Sequence, residues 1–359
     1  MKKRPEQNLL LSSFSVQNLG PVDNFKVEEM GMINLFLGEN SCGKTYLMKL
    51  LYSVCKTMET YRRGKNIVSL NEVLRDKMYW TYQSDRLSGI ITRRGRRVSG
   101  ELSFSCTTCG GEQLKFILKE NGTVEVTEPE APFSRAQTAK AVNSVFLPAK
   151  EVLTSHAVIV TSRDDDGQFG FDDTYYDLAK VLLRPPTKGK SFAKIAGARK
   201  MINGIFDAKA VYDRVNKNWT IHQGREIYEV SEASEGVKKL SILDILLGNR
   251  YIGPGSIVFI DEPESALHPA AISRFMEAIF RMAQEGIQFF MASHSYFVVK
   301  KLENIARKHG ASIPVFSYQP DDDGVTRWVS GDMQEGLENN PIILESVNLY
   351  REDLESFFS

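Results

Sequence analysis

Residues 38–51 read GENSCGKTYLMKLL. Gly38, Gly43, Lys44 and Thr45 stand at the spacing G-x-x-x-x-G-K-[ST], after the apolar run MINLFL and before Leu47, Leu50, Leu51 and Val54, which recur at the interval of one helix face. Strand, glycine loop and helix in that order make a phosphate cradle. Glycines let backbone N–H groups turn inward, the helix start adds its dipole, the Lys44 ammonium reaches the β- and γ-phosphates, and the Thr45 hydroxyl takes Mg2+. The expected nucleotide-binding segment is therefore Gly38, Glu39, Asn40, Ser41, Cys42, Gly43, Lys44, Thr45 and Tyr46.

A partner for this loop stands far downstream, in SIVFIDEPESALHP at 256–269. An apolar run that ends in two acids places Asp261 and Glu262 at the carboxyl end of a buried strand, where open α/β sheets bind their ligands. Asp261 is expected to hold Mg2+ through its water shell and Glu262 to polarise an attacking water as general base. From Ser234 onward, helical and strand-like stretches alternate: a helix from Ser234 to Leu247, SIVFID, a helix through Ile272, Phe275, Met276, Ile279 and Phe280, then IQFFMASH and another helix. That alternation predicts a parallel sheet.

Composition narrows the class. At 42% apolar and 25% charged residues the 359-residue chain reads as globular rather than fibrous or disordered. Lys+Arg and Asp+Glu balance at 45 each, so no global field draws it to nucleic acid or an anionic membrane. No stretch approaches the roughly 20 apolar residues of a membrane helix. The apolar run Leu9 to Leu11 is too short for a signal-peptide core, so no membrane association and a cytoplasmic location are expected. Four cysteines make no disulfide framework.

The middle of the chain is less regular. A hairpin is expected in IITRRGRRVSGELSFS, helices near 172–183 and 191–206 separated by RPPTKGK, and a three-stranded meander in KAVYDRV, NWTIHQ and EIYEVS. The divisions drawn are an N-terminal lobe at 1–60, an insertion and second-lobe region of mixed helix and strand at 61–230, and a C-terminal lobe at 231–359. Two basic clusters, Arg93 to Arg97 and Lys188 to Lys200, offer phosphate contacts for nucleic acid, although such runs are more often solvated turns. Cys106 and Cys109 form a lone C-x-x-C without further metal ligands nearby, which favours a hairpin-end turn over a zinc site. Asp164 to Asp166 lack the spacing of a calcium loop.

Taken in order, the glycine loop at 38–45, the acidic strand end at 257–262, ESALHP at 264–269 and Ser293-His294 resemble the ATPase heads of the RecF, Rad50, SMC and OLD branch of the ABC superfamily, nearest to the short AAA-like ABC ATPases of bacterial defence systems. The resemblance covers both ends of the chain and leaves the middle unmatched. It implies an α/β fold, a two-lobed ABC-type P-loop ATPase head with a mixed parallel and antiparallel sheet and an inserted helical and strand region. It also implies ATP and Mg2+ as cofactors, hydrolysis, and a head-to-head homodimer. By the same resemblance, Ser234 and Gly236 in SEASEGVKKL stand for the signature serine and glycine that contact the nucleotide of the opposite subunit, with Glu235 departing from the transporter form. Ser234 is independently a good helix N-cap. Ser265 and Ala266 would belong to a loop crossing the dimer interface, and His294 would be a switch histidine on the γ-phosphate. The Q-loop glutamine is left between Gln83 and Gln137, and His268 is expected to steady its loop.

About 65 residues follow His294, too few for a nuclease domain. The expected role is therefore regulation of a separate effector, such as a nuclease, in anti-phage defence. A RecF-like ATP-gated DNA clamp and a slowly hydrolysing scaffold held together by ATP are the alternatives.

Overall fold

In the computed structural model, residues 10–61, 68–94, 97–98, 100–128, 143–187, 193–320, 326–337 and 340–358 are described. The chain opens with β1 (Leu11–Leu19), β2 (Val22–Val27) and β3 (Ile33–Leu37), and passes through the glycine loop into α1 (Lys44–Thr60) and α2 (Leu70–Tyr82). A short pair, β4 (Arg93–Arg94) and β5 (Arg97–Val98), precedes β6 (Leu102–Thr108), β7 (Gln113–Leu118), β8 (Val124–Glu128) and β9 (Ser144–Leu147). Helices α3 (His156–Asp164), α4 (Asp173–Leu182) and α5 (Ala193–Phe206) lead to a meander of β10 (Ala208–Asp213), β11 (Asn218–Gln223) and β12 (Glu226–Glu229). Then come α6 (Glu235–Gly248), β13 (Ile257–Asp261), α7 (Pro269–Gln284), β14 (Gln288–Ser293), α8 (Tyr296–His309), β15 (Pro314–Pro320), β16 (Thr326–Asp332) and α9 (Pro341–Phe358). No described helix is long and apolar enough to cross a membrane.

The central sheet runs β16-β15-β3-β14-β13-β9, with β15, β3, β14, β13 and β9 parallel and β16 antiparallel to β15. Its inner strands are apolar throughout because both faces are covered. Side chains alternate between the two cores: Ile33, Leu35, Val258, Ile260, Phe289 and Met291 join the helices on one side. Phe36, Ile257, Phe259, Phe290 and Ala292 join α1 and the second sheet on the other. That second sheet, β2-β1-β6-β7-β8, is antiparallel. Alternating burial along β6 (Leu102, Phe104 and Cys106 inward) marks one covered face and one polar face.

The expected strands and helices at both ends of the chain are present, as is the three-stranded meander. Strands from within 61–230 complete both large sheets: β6 pairs with β1, and β9 forms an edge beside β13. Cys106 faces the core, where burial pushes its thiol up to about 12, and Cys109 lies exposed at the turn into β7. Among the described residues no cluster of His, Cys, Asp and Glu is suited to a metal. Gln137, Gly95, Arg96, Lys188 and Lys190 lie outside the described residues.

Candidate nucleotide site

The site forms at the carboxyl ends of β3, β13 and β14, which the sheet order sets side by side. After Leu37 the loop turns through positive φ at Gly38 (152°), Ser41 (66°) and Gly43 (99°), and Gly43 caps α1. Two of these glycines are also required by space. A Cβ on Gly38 would meet Cys42 Sγ at 2.8 Å, and one on Gly43 would meet Pro21 Cγ at 2.8 Å. The Lys44 ammonium donates to the carbonyls of Gly38 (2.6 Å) and Glu39 (2.7 Å), so the cation is held inside the turn and not extended into solvent. Cys42 is buried behind it, with Sγ 3.8 Å from Lys44 Nζ.

Thr45 and Asp261, 216 residues apart, meet directly. The Thr45 hydroxyl lies 2.9 and 3.1 Å from the two carboxylate oxygens of Asp261. Burial pushes the Asp261 carboxyl above the usual carboxylate range, with the Thr45 hydrogen bond opposing and the Glu262 charge adding to the rise. Asn40, Ser41, Gly43, Lys44, Thr45, Tyr46, Asp261 and Glu262 enclose a cavity of about 240 Å³ with Pro21. The residue types fit the expected ligands: inward-turned backbone and one lysine for phosphates, one hydroxyl and one buried carboxylate for Mg2+. Glu262 adopts a positive φ of 47°, unusual for a non-glycine residue and typical of functional turns.

Ser234, Gly236 and His294 do not line this cavity. Ser234 caps α6 by accepting from the Val237 N–H at 3.4 Å, and it is exposed. Gly236 packs against the loop after Glu262, since a Cβ there would sit 2.8 Å from the Ala266 carbonyl oxygen. Ala266 itself is exposed, at φ 62°. His294 follows β14 directly, its side chain half exposed and its Nδ1 3.8 Å from Glu264 Oε1. His268 caps α7 by accepting from Ala270 N–H at 3.2 Å. Gln83 ends α2 as its C-cap with its side-chain amide nitrogen buried and unpartnered, and it does not line the cavity.

Sequence reasoning missed two side chains. Glu264 accepts from the Ser293 hydroxyl (2.8 Å) and the His294 backbone N–H (3.2 Å), tying ESALHP to the end of β14. Lys239 donates from α6 to the Glu262 carbonyl, and burial lowers its ammonium to about 8 against the opposing pull of Glu264, Glu262 and Asp261. A lysine on the inward side of a mostly buried helix was the available signal. The basic clusters also look different in place. The Arg93 charge acts on Tyr46, opposing the burial that pushes its phenol up to about 12, and β4 does not line the cavity. Arg199 is committed to buried Asp244 through bonds of 2.6 and 2.9 Å.

The same architecture is found in solved structures. The Smc head bound to the C-winged helix domain of ScpA aligns over 91% of this chain and 98% of that one, at TM-score 0.55 and 11% identity. The chain has the fold of these Smc head domains. A second such head, the Smc head domain with an extended coiled coil bound to the C-terminal domain of ScpA derived from Pyrococcus furiosus, covers 94% of this chain and 99% of its own chain, at TM-score 0.50 and 11% identity. Residues 130–300 match the family described as "AAA domain, putative AbiEii toxin, Type IV TA system". That span takes in Ser234, Asp261, Glu262 and His294 and leaves the glycine loop outside. No curated protein sequence matches the chain.

Proposed function

We propose that this ATPase head binds and hydrolyses ATP at composite sites between two copies of the chain and uses the cycle to regulate a separate effector. The contact of Thr45 with Asp261, beside Glu262 on one cavity wall, carries the reading. Bound Mg2+, held through Thr45 and Asp261, would offset the charge developing on the phosphates. Lys44, already fixed inside the loop, adds a second positive charge at the same oxygens. Glu262 orients and deprotonates the attacking water.

The remaining parts point outward. Ser234 at the start of α6, Ala266 and His294 are exposed and absent from the cavity lining, and Tyr296 and Phe297 next to His294 present aromatic surface. Such an arrangement suits a second copy that brings its own Ser234 and Gly236 over the nucleotide, with His294 engaging the γ-phosphate on closure. ATP then favours the closed pair through its higher affinity for that state, and hydrolysis releases it. The matched family description names a toxin of a toxin–antitoxin system, and both Smc heads were solved with a piece of ScpA bound. These neighbours support a head whose output is a partner protein, and anti-phage defence is the setting we propose for it.

Phosphate release by single and mixed variants tests the composite site. Lys44→Ala and Ser234→Arg are each expected to lose about 100-fold in turnover. Mixing the two rebuilds one intact site per heterodimer and recovers activity. Mixtures no more active than their components would sink the proposal.

A further inference from the structure

A second cavity, of about 320 Å³, lies between the segment 182–187 after α4, the C-terminal end of α6 and strand β10. Its volume falls in the range of small-molecule sites. β10 is the edge of its three-stranded sheet, so the cavity borders open backbone there. The charge of the lining is one-sided: Arg184, Arg199, Lys209 and Arg214 face a single acid, Asp244. Asp244 is already taken by Arg199 in a two-bond pair. Gly248 shapes that wall, because a Cβ there would lie 2.7 Å from Arg199 Nη2. Among the described residues, no carboxylate pairs with Arg184, Lys209 or Arg214.

Two aromatic rings, Tyr212 and Trp219, also line the cavity. Trp219 is 4% exposed, its ring centroid lies 5.0 Å from that of Tyr212, and its indole N–H is buried without an acceptor. A buried donor left unpaired carries a desolvation cost. Two cations without a carboxylate, Lys209 and Arg214, and two aromatic rings in one cavity select a ligand with an acceptor-rich anionic end and a planar body.

We propose that this cavity binds a small aromatic phosphate monoester, about the size of a nucleoside monophosphate. The phosphate lies toward Lys209 and Arg214, and the ring lies against Tyr212 and Trp219. The site is separate from the glycine loop, and the inference stands whether or not the chain hydrolyses ATP.

Calorimetric titration of the full chain carrying Lys44→Ala, which weakens phosphate binding at the glycine loop, tests this with 5′-AMP, 5′-UMP and phenyl phosphate as probes. At least one probe is expected to saturate, and adding Lys209→Glu with Arg214→Glu should weaken it about tenfold or more. Both positions are exposed, so thermal unfolding should show the fold intact. Trp219→Phe, which deletes only the donor and trims the ring, provides a second variant expected to weaken binding. Failure of all three probes to saturate at millimolar concentration would overturn the proposal, as would affinity unchanged by the charge reversal.

Discussion

Lys239 carries a cation into a buried position beside Asp261, Glu262 and Glu264, and desolvation outweighs all three carboxylates, leaving its ammonium near 8 against an ordinary 10.5. The sign of the pH effect follows. Between these two values the unfolded chain holds a proton that the folded chain has shed, so this group makes stability rise with pH across the window and fall as pH drops through about 8. Denaturant midpoints of wild type and Lys239→Met, compared near about pH 7 and about pH 9.5, should therefore shift in favour of wild type at the higher pH. Parallel profiles would contradict the burial argument. At Glu262, substitution by Gln removes the base and keeps the amide's shape, so ATP binding should persist while phosphate release falls by about 100-fold or more. Loss of binding in that variant would show that Glu262 serves the ground state.

Helix α6 meets the loop after Glu262 through bare backbone at Gly236. Gly236→Ala would place a methyl 2.8 Å from a carbonyl oxygen that belongs to backbone and has little freedom to yield. A cost of about 1–3 kcal/mol is expected, read as a melting temperature lower by several degrees, and an unchanged value would mean that the contact is loose. Helices α1, α2 and α4 are joined differently, by buried charge: Lys77 reaches Asp173 at 2.5 Å and Asp177 at 2.8 Å, and the Tyr52 hydroxyl donates to Asp177 at 2.5 Å. Lys77→Met leaves buried Asp177 without its paired cation and Asp173 with only Arg163, 3.4 Å away, and should cost about 3–5 kcal/mol. A change below about 1 kcal/mol would mean that water already reaches the cluster. These joints were not legible in sequence, because they link positions roughly a hundred residues apart that share no local pattern. The strand–loop–helix units were legible, since apolar period and glycine spacing are local. Strands β6 to β8 were not legible as a set, for pairing with β1 is a long-range choice that local pattern leaves open.

The assembled chain places one half of the proposed catalytic set in its cavity and the other half on its surface. Gly43, Lys44, Thr45, Asp261 and Glu262 converge, while Ser234, Ala266 and His294 face outward. Motif order in the sequence revealed both halves. It could not show that they stand apart within one copy, since that depends on where α6 starts relative to β13. The account therefore stands on nucleotide-dependent pairing of two heads. The direct test is the native mass of Glu262→Gln with and without Mg-ATP, alongside the same chain carrying Ser234→Arg. A dimer that holds ATP, forms only with nucleotide and disappears with Ser234→Arg is the predicted result. A monomer that binds ATP fully, or a dimer indifferent to both nucleotide and Ser234, would contradict the composite site.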